Sequence, residues 1–225
     1  MKKILTFVLA LMATTCFVHS AEEELGLVVN HSPVTPVRST PSEASEQETQ
    51  LLFGEVCEVL EQRSSWTRIR STVDGQVGWV STKMVTPVSE EAISLLGNAA
   101  GVGAVPLTVA TDLKTGETRM LTMGSRLYNY AQGTFEMLGK QYQIDASCVY
   151  EVKGERSEVK GEEIVRVAKT LLNVPYLWGG KNMMGFDCSG FVQTVYSVFG
   201  IHLLRNAREQ VTQGEVVSSL SDAQP

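Results

Sequence analysis

The stretch Gly185–Gly200, GFDCSGFVQTVYSVFG, decides how the last third of the chain is read. Its apolar residues Phe191, Val192, Val195, Tyr196 and Phe199 recur at helical spacing, Asp187 is a good N-cap and Gly200 a good C-terminal stop, so a helix is predicted from about Cys188. A cysteine in a first helical turn meets unsatisfied backbone N–H groups and the positive end of the helix dipole, which both favour thiolate. Gly185 and Gly190 leave room for a second backbone, and Ser189 offers a hydroxyl and an N–H where an oxyanion could sit. The same residues also suit a buried structural cysteine capped by Asp187, and local physics does not choose between the two.

Upstream, KGEEIVRVAKTLLNVPYLWGG places Ile164, Val167, Ala168, Leu171 and Leu172 on one helical face, with Pro175 as the stop. Downstream, a short helix is expected from Asn206 to about Gln213, closed by Gly214. From Leu25 to Val88 and again from about residue 106 to 158 the chain reads differently, as short alternating strands separated by turns, with SEEAIS and LLGNAAGVGAV between them reading as a boundary or a short helix plus loop. LGLVVN, TPVRST, LLFGEVCEVLEQ, SWTRIRS and QVGWVS form a first small barrel, with Asp74-Gly75 as a hairpin turn. The polar PSEASEQETQ between its second and third strands reads as a solvated loop. PLTVATDL, TRMLTMG, RLYNYAQ, TFEMLGK and QYQIDAS form a second barrel. The expected division is a signal peptide over 1–20, barrels over 21–90 and 106–158, a linker over 91–105, and a largely helical segment carrying Cys188 over 159–225.

The first residues carry Lys2 and Lys3, an apolar run from Ile4 to about Ala13, and small residues at Ser20 and Ala21, the pattern of a secretory signal peptide. That run is shorter than the roughly 20 residues a bilayer requires, so no permanent membrane span is expected. Thr15 before Cys16 is a poor fit to a lipidation site. A net charge of −6 without a Lys/Arg cluster argues against a nucleic-acid partner. After export Cys57, Cys148 and Cys188 remain; Cys57 and Cys148 lie in strand patterns and read as core residues, whereas Cys188 is in a polar, glycine-bounded setting. No Cys/His cluster at ligand spacing and no phosphate loop is present, so neither metal nor cofactor is expected.

PYLWGGKNMMGFDCSGFVQ, followed by LLRNAREQ, resembles the NlpC family of bacterial cell-wall cysteine peptidases, and the first barrel, through PSEASEQETQLLFGE and DGQVGWV, resembles the bacterial Src-homology-3-like domains that often precede it. The resemblance implies a multidomain chain: two small Src-homology-3-like β-barrels, then the helical half of a papain-like α+β peptidase domain. It implies that Cys188 is the nucleophile and that Asp187 starts its helix. Ser189 would serve the oxyanion site or the substrate, Tyr176 and Trp178 would line the cleft, and Arg205 would organise the acyl-donor side, although an Arg flanking a helix is more often solvated. In relatives that select a free L-Ala amine, an Asp and a Ser follow that Arg; here Asn206 and Ala207 do, which weakens strict amine selection because an ammonium group wants a carboxylate. Glu46 matches a cleft Glu of the family's first barrel, while Gln76 replaces its Tyr. The partner implied is a peptidoglycan stem peptide, cut between γ-D-glutamate and the diamino acid, outside the cytoplasm.

A cysteine peptidase needs a base. Of the three histidines, His19 lies in the signal peptide, His31 in the first barrel, and His202 beyond the far end of the Cys188 helix. The family's base follows the helical half on a sheet that opens Pro-Gly-Asp-Leu, and Pro225 stands where that turn would begin, so the expectation is a catalytic domain without its sheet and histidine. Competing expectations are a non-catalytic cell-wall binding protein using its two barrels, and an enzyme completed by a second polypeptide.

Overall fold

The computed structural model describes residues 25–96, 100–152 and 159–223; the expected signal peptide with Cys16 and His19, and Pro225, lie outside the described residues. The first antiparallel sheet contains β1 (Leu27–Asn30), β2 (Val34–Arg38), β3 (Gln47–Leu52), β4 (Val56–Arg63), β5 (Trp66–Ser71), β6 (Val77–Ser81) and β7 (Val85–Val88), in the order β3-β2-β6-β5-β4-β1-β7. In β5 alternate residues Thr67, Ile69 and Ser71 are buried, the period of two of a half-buried strand. Val37, Leu51, Val59, Ile69 and Val80 close over Cys57 as its core, and burial pushes the Cys57 thiol pKa up. Asp74-Gly75 lies in the β5–β6 connection, with Gly75 at φ 72°.

Two sequence expectations are corrected here. Gln47–Gln50, taken as part of a solvated loop, forms the first part of β3, with Thr49 and Gln50 buried. Gly101–Gly103, assigned to the linker, is a strand of the second sheet.

After α1 (Glu90–Leu96), that second antiparallel sheet contains β8 (Gly101–Gly103), β9 (Leu107–Asp112), β10 (Thr118–Thr122), β11 (Arg126–Ala131), β12 (Thr134–Met137), β13 (Lys140–Ile144) and β14 (Val149–Glu151), in the order β10-β9-β13-β12-β11-β8-β14. β8 pairs with β11 and β14. Glycine is needed there because a Cβ on Gly101 would lie 2.6 Å from the Tyr130 ring. Two sheet units therefore stand where two barrels were expected. Their ladders run as open orders, with β3 and β7 at the edges of one and β10 and β14 at the edges of the other, so strand pairing alone closes neither into a barrel.

The sheets share an apolar seam in which Val29, Phe53 and Val56 of the first pack with Leu121, Leu127, Phe135 and Tyr142 of the second. Phe53 meets Phe135 edge to face at 6.1 Å. The Arg119 guanidinium lies over both Phe53 and Tyr142, 5.3 and 5.1 Å from the ring centroids, and donates to the His31 carbonyl. The backbone also crosses the seam: Arg126 N–H donates to Phe53 O at 2.8 Å, and Tyr128 Oη donates to Gly54 O at 2.8 Å. Gly54, at φ 82°, sits so close to β11 that a Cβ would lie 2.4 Å from Arg126 O.

The last segment contains α2 (Gly161–Lys169), the two-residue strands β15 (Lys181–Asn182) and β16 (Gly185–Phe186), α3 (Cys188–Val198) and α4 (Ala207–Gln210). α2 ends before Leu171 and Leu172; Leu171 still reaches the core, but Leu172 is 71% exposed. α4 is shorter than expected, ending at Gln210. α3 begins at Cys188 as predicted, and Gly200 takes φ 71° after its end. Its buried face differs from the apolar stripe: Gln193 and Thr194 are buried, while Phe191, Val192 and Tyr196 are half-buried. α3 is wedged between two surfaces. On one side Val195, Val198 and Phe199 pack with Val167, Leu171, Phe186 and Met123 of the second sheet. On the other side Gln193 and Thr194 bond to polar partners, Gln193 to the first sheet's hairpin and Thr194 to the Lys181 carbonyl.

Candidate active site

Cys188 opens α3 with its side chain exposed, while its neighbours Asp187 and Ser189 are buried at 7% and 6% exposure. The helix starts here because Asp187, in extended conformation, accepts the Gly190 N–H on Oδ1 at 2.6 Å. Its Oδ2 accepts the Gly179 N–H at 2.9 Å, which pins the Trp178-Gly179-Gly180 turn to the start of α3. The contact is tight: a Cβ on Gly190 would lie 2.2 Å from Gly180 O, and one on Gly185 would lie 2.4 Å from Leu177 Cβ. Gly190 thus supplies the backbone approach expected of it, whereas at Gly185 the close neighbour is the Leu177 side chain.

Arg205 is not solvated but 3% exposed. It grips Asp187 with two parallel bonds, Nη2 to Oδ2 at 2.6 Å and Nη1 to Oδ1 at 3.0 Å, and also donates to Ser189 Oγ at 2.9 Å and Thr49 Oγ1 at 2.7 Å. Burial pushes the Asp187 carboxyl pKa up, but the bonds from Arg205 and from the Gly190 and Gly179 N–H groups outweigh it and hold the carboxyl below its usual range. The Ser189 hydroxyl, accepting from Arg205 and donating to Asp187 Oδ1 at 3.3 Å, is committed to this cluster. The backbone N–H groups of Cys188 and Ser189, which precede the first intrahelical bond from Phe191 N–H to Asp187 O, have no acceptor among the described residues. They are the groups beside the sulfur able to hold a developing oxyanion.

Tyr176 and Trp178 are 67% and 59% exposed, so they are not core aromatics. Asn206 precedes α4, and its backbone N–H and side-chain amide both donate to Glu209 Oε2, at 3.2 and 2.9 Å. Glu46 is exposed at the turn into β3, one residue before Gln47, whose Nε2 donates to Trp178 O at 2.9 Å. A Cβ on Gly179 would lie 2.6 Å from Gln47 O, so this turn abuts the Trp178 segment.

The structure adds residues that the sequence did not single out. Gln50 Oε1 accepts from Lys181 N–H at 2.8 Å and Asn182 Nδ2 at 2.7 Å. Lys181 Nζ donates to Glu55 Oε1 at 3.1 Å in a buried pair. Gln193 Nε2 donates to Asp74 Oδ2 at 2.9 Å and Leu203 O at 2.8 Å, and Gln210 Nε2 donates to Ser189 O at 3.0 Å. Gln47, Thr49 and Gln50 all lie in β3, whose polar composition conceals it as a strand, and Glu55 and Lys181 have no local signal.

Neither described histidine joins Cys188. His202 follows α3, and the helix's 11 residues span about 16 Å. His31 packs in the first sheet with Nδ1 2.9 Å from Thr86 Oγ1, and burial together with the Arg119 charge pulls its pKa down. Among the described residues no cluster of three His, Cys, Asp or Glu could hold a metal, and no helix is long and apolar enough to cross a membrane.

Residues 37–84 match the family described as bacterial dipeptidyl-peptidase Sh3 domain, and residues 173–225 match the NlpC/P60 family. A gamma-D-glutamyl-L-lysine dipeptidyl-peptidase of Bacillus subtilis is 28% identical over 76% of this chain and 59% of its own length. The protein of that name from Bacillus cereus is 23% identical over 77% of this chain and 57% of its own. The chain thus spans less than two thirds of the length of these curated relatives. In fold, an NlpC/P60 family protein from Bacillus cereus matches with a TM-score of 0.76 at 16% identity, over 88% of this chain and 80% of the other. An NlpC/P60 endopeptidase from Photobacterium damselae subsp. piscicida matches with a TM-score of 0.64 at 20% identity, over 82% and 45% respectively.

Proposed function

We propose that this chain, whose residues 173–225 match the NlpC/P60 family and whose residues 37–84 match a bacterial dipeptidyl-peptidase Sh3 domain, is the nucleophile-bearing part of an exported peptidase acting on peptidoglycan stem peptides. The observation that carries this reading is the exposed Cys188 on a helix start fixed by the buried Asp187–Arg205 pair. The second sheet is read as a further Src-homology-3-like unit, and the last segment as the helical part of a papain-like domain.

Cys188 Sγ attacks the γ-carbonyl carbon of a D-glutamyl residue, and the N–H groups of Cys188 and Ser189 hold the oxyanion. The thiol proton passes to a base and on to the departing amine of the diamino acid. Water then cleaves the thioester and regenerates the thiol. Asp187, Arg205 and Ser189 act as positioning residues, while the exposed Tyr176, Trp178 and Glu46 face solvent where substrate arrives. Asn206 supplies an amide where amine-selecting relatives supply a carboxylate, so a free N-terminal amine is not a strict requirement. His202 stands about a helix length from Cys188 and His31 is hydrogen-bonded to Thr86 within the first sheet, so neither is read as the base, and that role is assigned in this reading to a histidine not among the described residues.

The test is labelling by a γ-D-glutamyl compound bearing a thiol-reactive electrophile, located by mass spectrometry. Labelling of Cys188 in preference to Cys57 and Cys148, competed by stem peptide, supports the reading; uniform labelling or none at Cys188 overturns it. The 225-residue chain by itself is expected to release no diamino-acid peptide from muropeptides. Release that disappears in Cys188→Ala would show that the base lies within these residues.

A further inference from the structure

His31 is a titratable group that the proposed chemistry leaves unused, and it stands where the two sheets meet. It follows β1 and lines a cavity of about 150 Å³ with Thr86 of β7, Arg119 of β10, Met137 of β12, and Lys140 and Tyr142 of β13, so both sheets contribute to the walls. Its half-buried ring has Nδ1 2.9 Å from Thr86 Oγ1, and its carbonyl accepts from Arg119 Nη1 at 2.7 Å. His31 is therefore tied to the first sheet through its ring and to the second through its backbone.

The charged side chains that share this cavity with His31 are cations. Arg119 has no carboxylate partner among the described residues; its guanidinium lies instead over Phe53 of the first sheet and Tyr142 of the second. Lys140 is the other cation, and its Nζ is 3.3 Å from Asp112 Oδ2, which engages that carboxylate. Asp112 and Glu117 border Arg119 only in a separate depression that His31 does not line. The ring thus faces Arg119 with no carboxylate to offset it, and partial burial and the Arg119 charge together hold its pKa below 6.5.

A proton on His31 places a second positive charge beside the guanidinium that bridges the seam. We propose that His31 and Arg119 form an acid-sensitive latch between the two sheets. With His31 neutral, Arg119 clasps the seam by stacking on both rings and bonding to the His31 carbonyl; with His31 protonated, repulsion weakens the clasp and the seam opens locally more often. The sign follows from linkage: opening frees the ring from burial and from Arg119, so the open form binds the proton more tightly than the closed one. The latch is therefore at full strength above pH 6.5 and weakens as pH falls through the folded pKa.

The experiment is amide hydrogen exchange of the full chain between about pH 7.5 and pH 5, with rates corrected for intrinsic exchange, beside an NMR titration of the His31 ring. Arg126 N–H, which donates to Phe53 O across the seam at 2.8 Å, reports opening there; Thr82 N–H, bonded to Ser65 O at 2.8 Å inside the first sheet, is the control. Protection of Arg126 is expected to fall about twofold or more over this range relative to Thr82, with the midpoint at which the His31 ring titrates. His31→Gln, which keeps an amide for Thr86, is expected to hold Arg126 protection level, and His202→Gln to leave the fall in place. If His31→Gln does not fold, the match of the two wild-type midpoints decides. A His31 ring that titrates at or above 6.5, an Arg126 protection that falls no more than that of Thr82, or a fall that survives His31→Gln overturns the proposal. None of these readouts involves Cys188, so their outcome is independent of the proposed peptidase activity.

Discussion

The two sheets hold the last segment by opposite means. The first sends polar side chains into it: Gln47 to Trp178, Thr49 to Arg205, Gln50 and Glu55 to Lys181, and Asp74 to Gln193. The second meets it largely through apolar packing, with Met123 in the helical core and Tyr150 edge-on to Phe199 at 4.9 Å. Hydrogen bonds are directional and apolar contacts are not. The first sheet therefore orients the Cys188 helix start, whereas the second mainly anchors the helices.

The severest way to break this contrast is Arg205→Ala, which strands a buried Asp187 carboxylate. It should cost about 3–5 kcal/mol, a Tm drop of roughly 10 °C, and remove the preference of a directed label for Cys188. A variant with normal Tm and normal labelling would show that the cluster neither supports the fold nor positions the thiol. Met123→Ala, on the anchoring side, should cost about 2–5 kcal/mol in urea unfolding while leaving Cys188 labelling within a few-fold of wild type under native conditions. Labelling lost as completely as in Arg205→Ala would erase the distinction. Gln50→Leu leaves the Lys181 N–H and the Asn182 amide without their acceptor and should cost about 1–3 kcal/mol, with a several-fold fall in labelling rate.

The smallest effect is one of pH. The folded Asp187 carboxyl titrates below its ordinary value of 3.8, so its stabilising contribution is complete above that value and is lost as pH falls through the folded pKa. The stability gap between wild type and Asp187→Asn should be constant near neutral pH and narrow below about pH 4. A gap that persists to pH 3 would mean that the pair contributes by shape rather than by charge.

Local signals in the chain were readable where local physics sets the structure. Asp187 as cap, Cys188 as first helical residue and Gly200 as stop are decided within a few residues of one another. The alternating strands and the Asp74-Gly75 turn are of the same kind. What escaped was long-range. On local grounds Arg205 reads as a solvated flanking residue, and only the resemblance pointed to a role at the site; Thr49, 156 positions away, and Asp187 are what enclose it. Gln47–Gln50 reads as loop because a strand buried against polar partners lacks the apolar alternation that marks a strand against a core. Gln193 and Thr194 broke the expected stripe of α3 for the same reason. Gly101–Gly103 reads as linker because two of its three residues are glycines, which disfavour strands, yet Gly101 is the residue that fits beside the Tyr130 ring.

The seam at Gly54 bears on how this chain can be rearranged. Its φ of 82° and its closeness to Arg126 O leave no space for a side chain, and backbone and tyrosine bonds cross at the same point. Neither sheet is a free-standing cassette: transplanting one onto another protein exposes Phe53 or Phe135 and leaves crossing bonds unmade. An engineer who wants to graft this assembly should carry both sheets together.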